Sequence, residues 1–190
     1  MALKSKMVNF VVVAALFLPL QAIAAMSWQI VTEKSSLSFT ATQNASPVTG
    51  QFKSFSGVGE FDPNQLANAK VKVVVDVGSV YTSYGQVAAT LKTPDWFDVK
   101  KYPQAVFVAD SFTKTGNMTY QAKGKLTLRN ITQPITLDFA LVYFNQDGAQ
   151  AKGRTVFKRS AFGVGSGEWS STKEIKDEVE VNFTAVAVRR

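Results

Sequence analysis

The chain predicts an all-β fold: one antiparallel β-barrel of about eight strands, with a single short helix covering its mouth. Three observations carry that expectation. Apolar and polar residues alternate with a period of two over several stretches, as half-buried strands require. Turn residues separate those stretches at short intervals, without the regular strand–helix–strand rhythm of a parallel sheet. Only one stretch carries a full set of helix-capping signals, and a lone helix among strands must cover something.

The chain opens on a segment outside that fold. Lys4 and Lys6 precede an apolar run from Val8 to Leu20, and Ala22-Ile23-Ala24 has the A-x-A pattern of signal cleavage. The run falls short of the roughly 20 residues that span a bilayer. Residues 1–24 therefore read as a cleaved secretory signal peptide, with a retained anchor as the alternative. Residues 25–190 are the expected single domain. There is no Cys, so no disulfide framework supports it and the core alone must hold it.

The elements follow in order. Val71, Val73, Val75 and Val77 alternate with Lys70, Lys72 and Asp76, and Ala105-Val106-Phe107-Val108 opens a second strand. Tyr120, Ala122, Leu126 and Leu128 alternate with Gln121, Lys123, Lys125 and Thr127. Ile135, Leu137, Phe139, Leu141 and Tyr143 share one parity, as do Val179, Val181, Phe183, Ala185 and Ala187. Turn signals lie at Asn44–Pro47, Asp62–Asn64, Thr115–Asn117, Asn130–Pro134, Asp147-Gly148 and Gly163–Gly167. Closing such strands into a barrel removes exposed edges, and about eight enclose a packed core or one small-molecule cavity.

The helix is expected at Asp95–Tyr102. Thr93 supplies an N-cap, Pro94 the first helical position, and Asp95 and Asp98 the acidic first turn. Lys100 and Lys101 suit its C-terminal end, and Pro103 stops it. Such a helix would act as a lid.

The aromatic load favours a cavity over a solid core. Phe39, Phe52, Phe55 and Phe61 precede this block; Trp96, Phe97, Phe107 and Phe112 fall in or beside it; Phe139, Phe157, Phe162, Trp169 and Phe183 follow. Large flat rings line an elongated apolar pocket well. Val75, Val77, Leu126 and Leu137 lie on the same inward faces, and Arg159 shares the parity of Phe157. A buried guanidinium needs a partner, which a ligand head group or a carboxylate can supply.

Composition removes whole classes of chemistry. The chain has no His and no Cys, which excludes histidine- and thiol-based catalysis. Carboxylate pairs remain, but Asp95 and Asp98 are explained by the first helical turn, and the acidic run Glu174–Glu180 reads as a charged turn. Gly163–Gly167 is a tight turn or bulge rather than a phosphate cradle. The formal charge is +7, or +5 without Lys4 and Lys6. It is scattered along strand faces, which excludes a nucleic-acid partner and is compatible with loose attraction to an anionic membrane surface.

The order of short motifs resembles the YceI-like family. Trp28-x-Ile30, Ser35-x-Leu37-x-Phe39 and Gly50-x-Phe52 carry the likeness first. Asp76-x-x-Ser79-Val80-x-Thr82, Leu91, Asp95-Trp96-Phe97-Asp98 and Tyr102-Pro103 continue it. Gly124-x-Leu126-Thr127-Leu128-Arg129-Asn130-x-Thr132-x-Pro134 and Arg159-x-x-Phe162-Gly163 complete it, so the likeness spans the whole mature chain. Gly165-x-Gly167-Glu168-Trp169 resembles a branch some of whose members are joined to cytochrome b561 membrane domains. The chain departs from the family at Lys34, Gln43, Ala88 and Thr90, near positions where members often carry His or Asp.

The resemblance implies a lipocalin-like barrel in the periplasm, without enzymatic activity or catalytic cofactor, holding a polyisoprenoid or isoprenoid quinone. The implied binding residues are Phe39, Phe52, Val75, Val77, Trp96, Phe97 and Phe107 from the first half of the barrel. Leu126, Leu137, Phe139, Phe157, Arg159, Phe162 and Trp169 complete the set from the second half. Arg159, Tyr81, Tyr84 and Tyr102 are candidates for polar contacts near the mouth. The implied partners are the isoprenoid lipid and, transiently, the membrane surface or a cytochrome b561-type membrane protein. Two alternatives differ in class: an interaction module for a membrane redox partner, with a packed interior, and a carboxylate-dependent periplasmic glycan hydrolase.

Overall fold

The alternating stretches form strands, and these wrap into a closed ring. The structure, a computed structural model, describes residues 26–190. The expected signal peptide, residues 1–24, lies outside the described residues. Eleven strand segments occur in order: β1 (Ser27–Ile30), β2 (Ser36–Gln43), β3 (Ser46–Phe52), β4 (Phe55–Glu60), β5 (Lys70–Asp76) and β6 (Val80–Thr82) precede the helix α1 (Gly85–Leu91). After it come β7 (Gln104–Gly116), β8 (Thr119–Leu128), β9 (Ile131–Phe144), β10 (Gly148–Lys158) and β11 (Glu178–Arg189).

Eight of these segments close the barrel in the order β1-β4-β5-β7-β8-β9-β10-β11, with β11 pairing back to β1. Trp28 opposite Arg189 and Ile30 opposite Ala187 seal that seam. The remaining segments β2, β3 and β6 branch from β11. They continue the courses of β1, β4 and β5 after short breaks, so one end of the barrel flares away from β7. Helix α1 and the turns after it fill the gap.

Two hairpins turn on residues that accept the left-handed conformation. Asn44 and Ala45, and again Arg129 and Asn130, all have positive φ, as two-residue hairpin loops with a matching twist demand. The second turn is tighter than the expected Asn130–Pro134: the chain re-enters register at Ile131, and Pro134 pairs with Lys125 inside the sheet.

The helix is not where capping chemistry places it. Residues 85–91 are helical, while Asp95–Tyr102 runs through successive turns. Thr93 closes α1 rather than opening a helix, since its hydroxyl donates to Thr90 O at 2.7 Å. The amides of Trp96 and Asp98 both donate to Thr93 O, and Asp98 sits at φ 48°, which ends any continuing helix. The helix over the mouth is therefore built from Gln86-Val87-Ala88-Ala89-Thr90-Leu91, in which Gln86, Ala88, Ala89 and Leu91 are good helix formers and Val87 and Leu91 share one face.

Two bulges re-aim side chains. β9 slips against β10 between Gln150 and Ala151, so Val142 is the extra residue and inward parity passes from Leu141 to Phe144. Tyr143, expected inside, is exposed. An irregularity after Ala109 in β7 likewise turns Phe112 into the barrel.

Candidate ligand-binding site

The barrel interior is a cavity of about 680 Å³, within the size range of small-molecule sites. Its floor is a cluster of rings at the end where β1 meets β11. Phe61 meets Phe112, Tyr120 and Phe139 edge-on at centroid distances of 5.6, 5.7 and 6.0 Å, the geometry ring quadrupoles favour. Phe144 bridges from Phe61 to Trp28, and the Trp28 indole N–H donates to Phe61 O at 2.8 Å, which anchors the whole floor. Above it the wall is aliphatic and aromatic, from alternate residues of each strand.

The opposite end is made differently. Phe39, Phe52 and Phe97 form a chain of rings, each pair 5.8 Å apart. Phe39 crosses directly over Gly50, where any Cβ would strike its ring, so that glycine is what admits it. Trp96 leans on Trp169 at 5.7 Å, and Tyr84, just before α1, joins Gln86, Val87, Thr90 and Leu91 of α1 in the lining.

Main-chain carbonyls and two arginines hold this end. Arg159 is 3% exposed, and its guanidinium donates to six carbonyl oxygens. Nε reaches Lys176 O at 3.2 Å; Nη1 reaches Val164 O and Gly165 O at 2.9 and 3.0 Å. Nη2 reaches Trp169 O, Ser171 O and Ile175 O between 3.0 and 3.2 Å. Gly165, at φ 75°, must be glycine, because a Cβ there would collide with Nη1. Burial lowers the Arg159 pKa from its ordinary value, with the negative charge of Asp177 working against that shift. Burial also opposes ionisation of Asp177, but the Ser160 amide and hydroxyl and the charges of Arg159 and Lys158 outweigh it and hold the carboxyl below its usual value.

Arg129 does the same for the loop carrying Trp96. Its Nη1 donates to Trp96 O at 2.8 Å and also to Gly163 O, while the amides of Gly165 and Ser166 donate to Asp95 O. Trp96 and Phe97 are thereby fixed in the wall. The Trp96 indole nitrogen is buried without a hydrogen-bond acceptor, alone in that respect among the side-chain polar atoms of the described residues.

The family profile described as the YceI-like domain matches residues 28–187, nearly all of the described chain. The chain belongs to the YceI-like family. A UPF0312 protein of Vibrio parahaemolyticus is 33% identical to this YceI-like chain over 100 residues, 53% of each; the match spans about half the length of that relative. Among solved structures, BcnA of Burkholderia cenocepacia superposes with a TM-score of 0.80 at 33% identity, covering 84% of this chain and 99% of that one. A polyisoprenoid-binding domain from Saccharophagus degradans, implicated in plant cell wall breakdown, superposes at 0.70 over 87% and 99%. At 14% identity that second likeness concerns the fold.

The YceI-like barrel brings most of the sequence-derived residues to one space. Phe39, Phe52, Val75 and Val77 line it from the early strands, and Trp96, Phe97 and Phe107 from the middle of the chain. Leu126, Leu137, Phe139, Phe157, Arg159 and Trp169 complete that set. Phe162 does not join them. The strand ends at Lys158, the next four residues coil into a 3₁₀ turn, and Phe162 is buried behind the wall, edge-on to Phe157 at 5.3 Å. Of the three mouth tyrosines only Tyr84 lines the cavity. Tyr81 faces out beneath the Lys53 ammonium, and Tyr102 lies beside Lys101. Arg159 finds its partner in the main chain, not in a head group.

Sequence reasoning missed several residues at the flared end: Gln86, Val87, Thr90 and Leu91 of α1, Gln43, and the clamp Arg129. The floor residues Trp28 and Phe144 were also unassigned; Phe144 needed knowledge of the bulge. The wall contains no carboxylate and no lysine among the described residues, and Asp95 and Asp98 lie outside it. The facing carboxylates that glycan hydrolysis needs are thus not brought to this cavity. Nor is the interior packed solid, as the interaction-module reading requires.

Proposed function

We propose that this YceI-like protein is a periplasmic carrier or sequestering protein that holds one isoprenoid lipid in its barrel. The observation that carries the reading is the cavity itself: about 680 Å³, floored by rings, walled by aliphatic and aromatic side chains, and flanked by one helix. A prenyl tail leaving water gains about 0.8 kcal/mol per buried CH₂. A bilayer offers the tail nearly the same medium, so preference for the protein must come from fit and from contacts at the α1 end. The polyisoprenoid-binding domain of Saccharophagus degradans, which shares the fold, supports this ligand class. The proposal includes transient contact with the membrane surface that supplies the lipid and, for a quinone, with a cytochrome b561-type partner. The exported location rests on residues 1–24.

The test is mass spectrometry of mature protein purified without detergent, before and after solvent extraction, followed by titration with added prenyl lipids. Stoichiometric prenyl lipid is the expected result. Failure of both endogenous and added lipid to bind would sink the reading.

A further inference from the structure

One stretch of the barrel wall has no ladder. β9 and β10 pair from Phe144 and Ala149 as far as Asp138 and Arg154, although β9 begins at Ile131 and β10 runs on to Lys158. Over that remaining length each strand is still held on its other side, β9 by β8 and β10 by β11. The two splay into a seam in the α1 half of the wall, and an outer cleft of about 600 Å³ lies along it. The sequence keeps this seam from zipping shut. Pro134 sits opposite Lys125 inside the β8–β9 ladder. A proline has no N–H to donate and fits a ladder only with its nitrogen turned away from the partner, here toward β10. Past Lys158 the chain leaves the sheet for the 3₁₀ turn Arg159–Phe162.

The bonds that cross the seam run from side chain to main chain. The Thr155 hydroxyl donates to Thr136 O at 2.8 Å, and Gln133 Nε2 donates to Ala161 O at 3.2 Å. Two neutral bonds of this kind hold far less than a ladder does. The partition is also thin: Ile135, Thr155 and Phe157 line the barrel cavity and the outer cleft alike, so one layer of side chains separates the two spaces. Phe162, which does not line the barrel cavity, lines the cleft and rests edge-on against Phe157 at 5.3 Å. Ring packing of this sort plugs a gap without directional bonds that would have to break for it to move. We propose that the seam is a lateral portal: β9 and β10 part between Pro134 and Lys158, Phe157 and Phe162 swing aside, and the opening at α1 extends down the wall. A long apolar chain then enters sideways instead of threading end-on past the arginine-held loops. The portal presupposes the lipid-carrying function proposed above.

The experiment locks the seam and loosens it. Thr136 and Val156 are exposed and would be the next outward pair after Asp138 and Arg154 if the ladder continued. The chain has no cysteine of its own, so Thr136→Cys with Val156→Cys gives two unique thiols. A short bismaleimide joins them across the seam in the folded, full mature chain, and N-ethylmaleimide on the same variant is the untethered control. Uptake of radiolabelled geranylgeraniol and its release to phosphatidylcholine vesicles are then timed. The tether should slow uptake and release together by about tenfold relative to the control. Gln133→Ala removes one crossing bond outside the barrel cavity, so it should speed both about threefold and leave the affinity unchanged. Exchange as fast with the tether as without it overturns the portal and leaves the carrier reading standing, as does a Gln133→Ala variant that changes affinity but neither rate. Absence of uptake by the wild-type chain removes the portal together with the carrier reading.

Discussion

The two ends of the cavity are closed by opposite means. At the floor, side chains close the barrel: Phe61, Phe112, Tyr120, Phe139 and Phe144 pack ring against ring, with one indole hydrogen bond as a pin. At the α1 end, irregular main chain closes it, and that main chain is held by arginine side chains reaching across from Arg129 and Arg159. Apolar packing is non-directional and needs only shape, so a floor of rings seals without specifying anything. Carbonyls gathered around a guanidinium fix each strand of loop in position. In the proposed carrier, an opening that admits one lipid and excludes water calls for that second kind of order.

The largest expected effect comes from breaking the ordered end. Arg159→Ala strands six carbonyls, most of them in buried surroundings, and each unsatisfied buried polar group costs about 1–3 kcal/mol. Relaxation and water will restore part of that, and a net loss of about 4 kcal/mol is expected by urea unfolding. Arg159→Lys should recover little, because an ammonium offers three donors and no planar fork. Full recovery by lysine would mean that charge rather than geometry holds the loops.

The floor should fail more gently. Phe61→Ala deletes the ring on which the cluster converges, and removing a core phenyl group costs about 3 kcal/mol, less where the site already faces a cavity. The expected loss is about 2 kcal/mol, with the α1 end unperturbed. Hydrogen exchange distinguishes the two variants: Phe61→Ala should deprotect β1 and β4, Arg159→Ala the segment from 160 to 177. Deprotection of the whole barrel in both cases would abolish the distinction between the ends.

That distinction also explains what could be read from the sequence. Strand parity is a local property, so Val71–Val75, Leu126, Leu137 and Val179–Ala187 were legible as wall residues from alternation alone. Arg159 followed the parity of Phe157 inward even though the strand had ended one residue earlier. Bulges are set by pairing with a partner strand, and alternation within one strand cannot reveal them; Tyr143 and Phe144 exchanged places for that reason. The Thr93-Pro94 signal misled because the same hydroxyl chemistry that opens a helix can close the one before it. Arg129 stood out only as a member of the family motif and its clamping role was not legible, since its partners are carbonyls more than thirty residues away.

A smaller effect sharpens the comparison through pH. Asp177 receives two hydrogen bonds from Ser160, at the foot of Arg159, and its carboxyl titrates below its usual value. A carboxyl with a depressed folded pKa adds stability that is full above the unfolded value of about 4 and fades as pH falls through the folded one. Asp177→Asn should therefore cost about 1 kcal/mol at pH 7, and the gap to wild type should close as pH drops below about 4. The cost of Phe61→Ala should not change over that range, because no carboxyl group belongs to the floor's ring contacts. A gap for Asp177→Asn that stays constant down to pH 3 would show that its contribution is not ionic.

The smallest effect on stability is the one most closely tied to ligand traffic. Tyr84 is 75% exposed, yet it lines the cavity from the residue just before α1. A side chain that exposed contributes within about 0.5 kcal/mol to folding, so Tyr84→Ala should leave the urea midpoint nearly unchanged. If the α1 end is where lipid enters and leaves, the same variant should release bound lipid several-fold faster in a transfer assay to acceptor vesicles. Phe61→Ala, at the closed end, should lower stability without opening that route. Faster release from Phe61→Ala than from Tyr84→Ala would place the doorway at the ring-packed floor and reverse the assignment of the two ends.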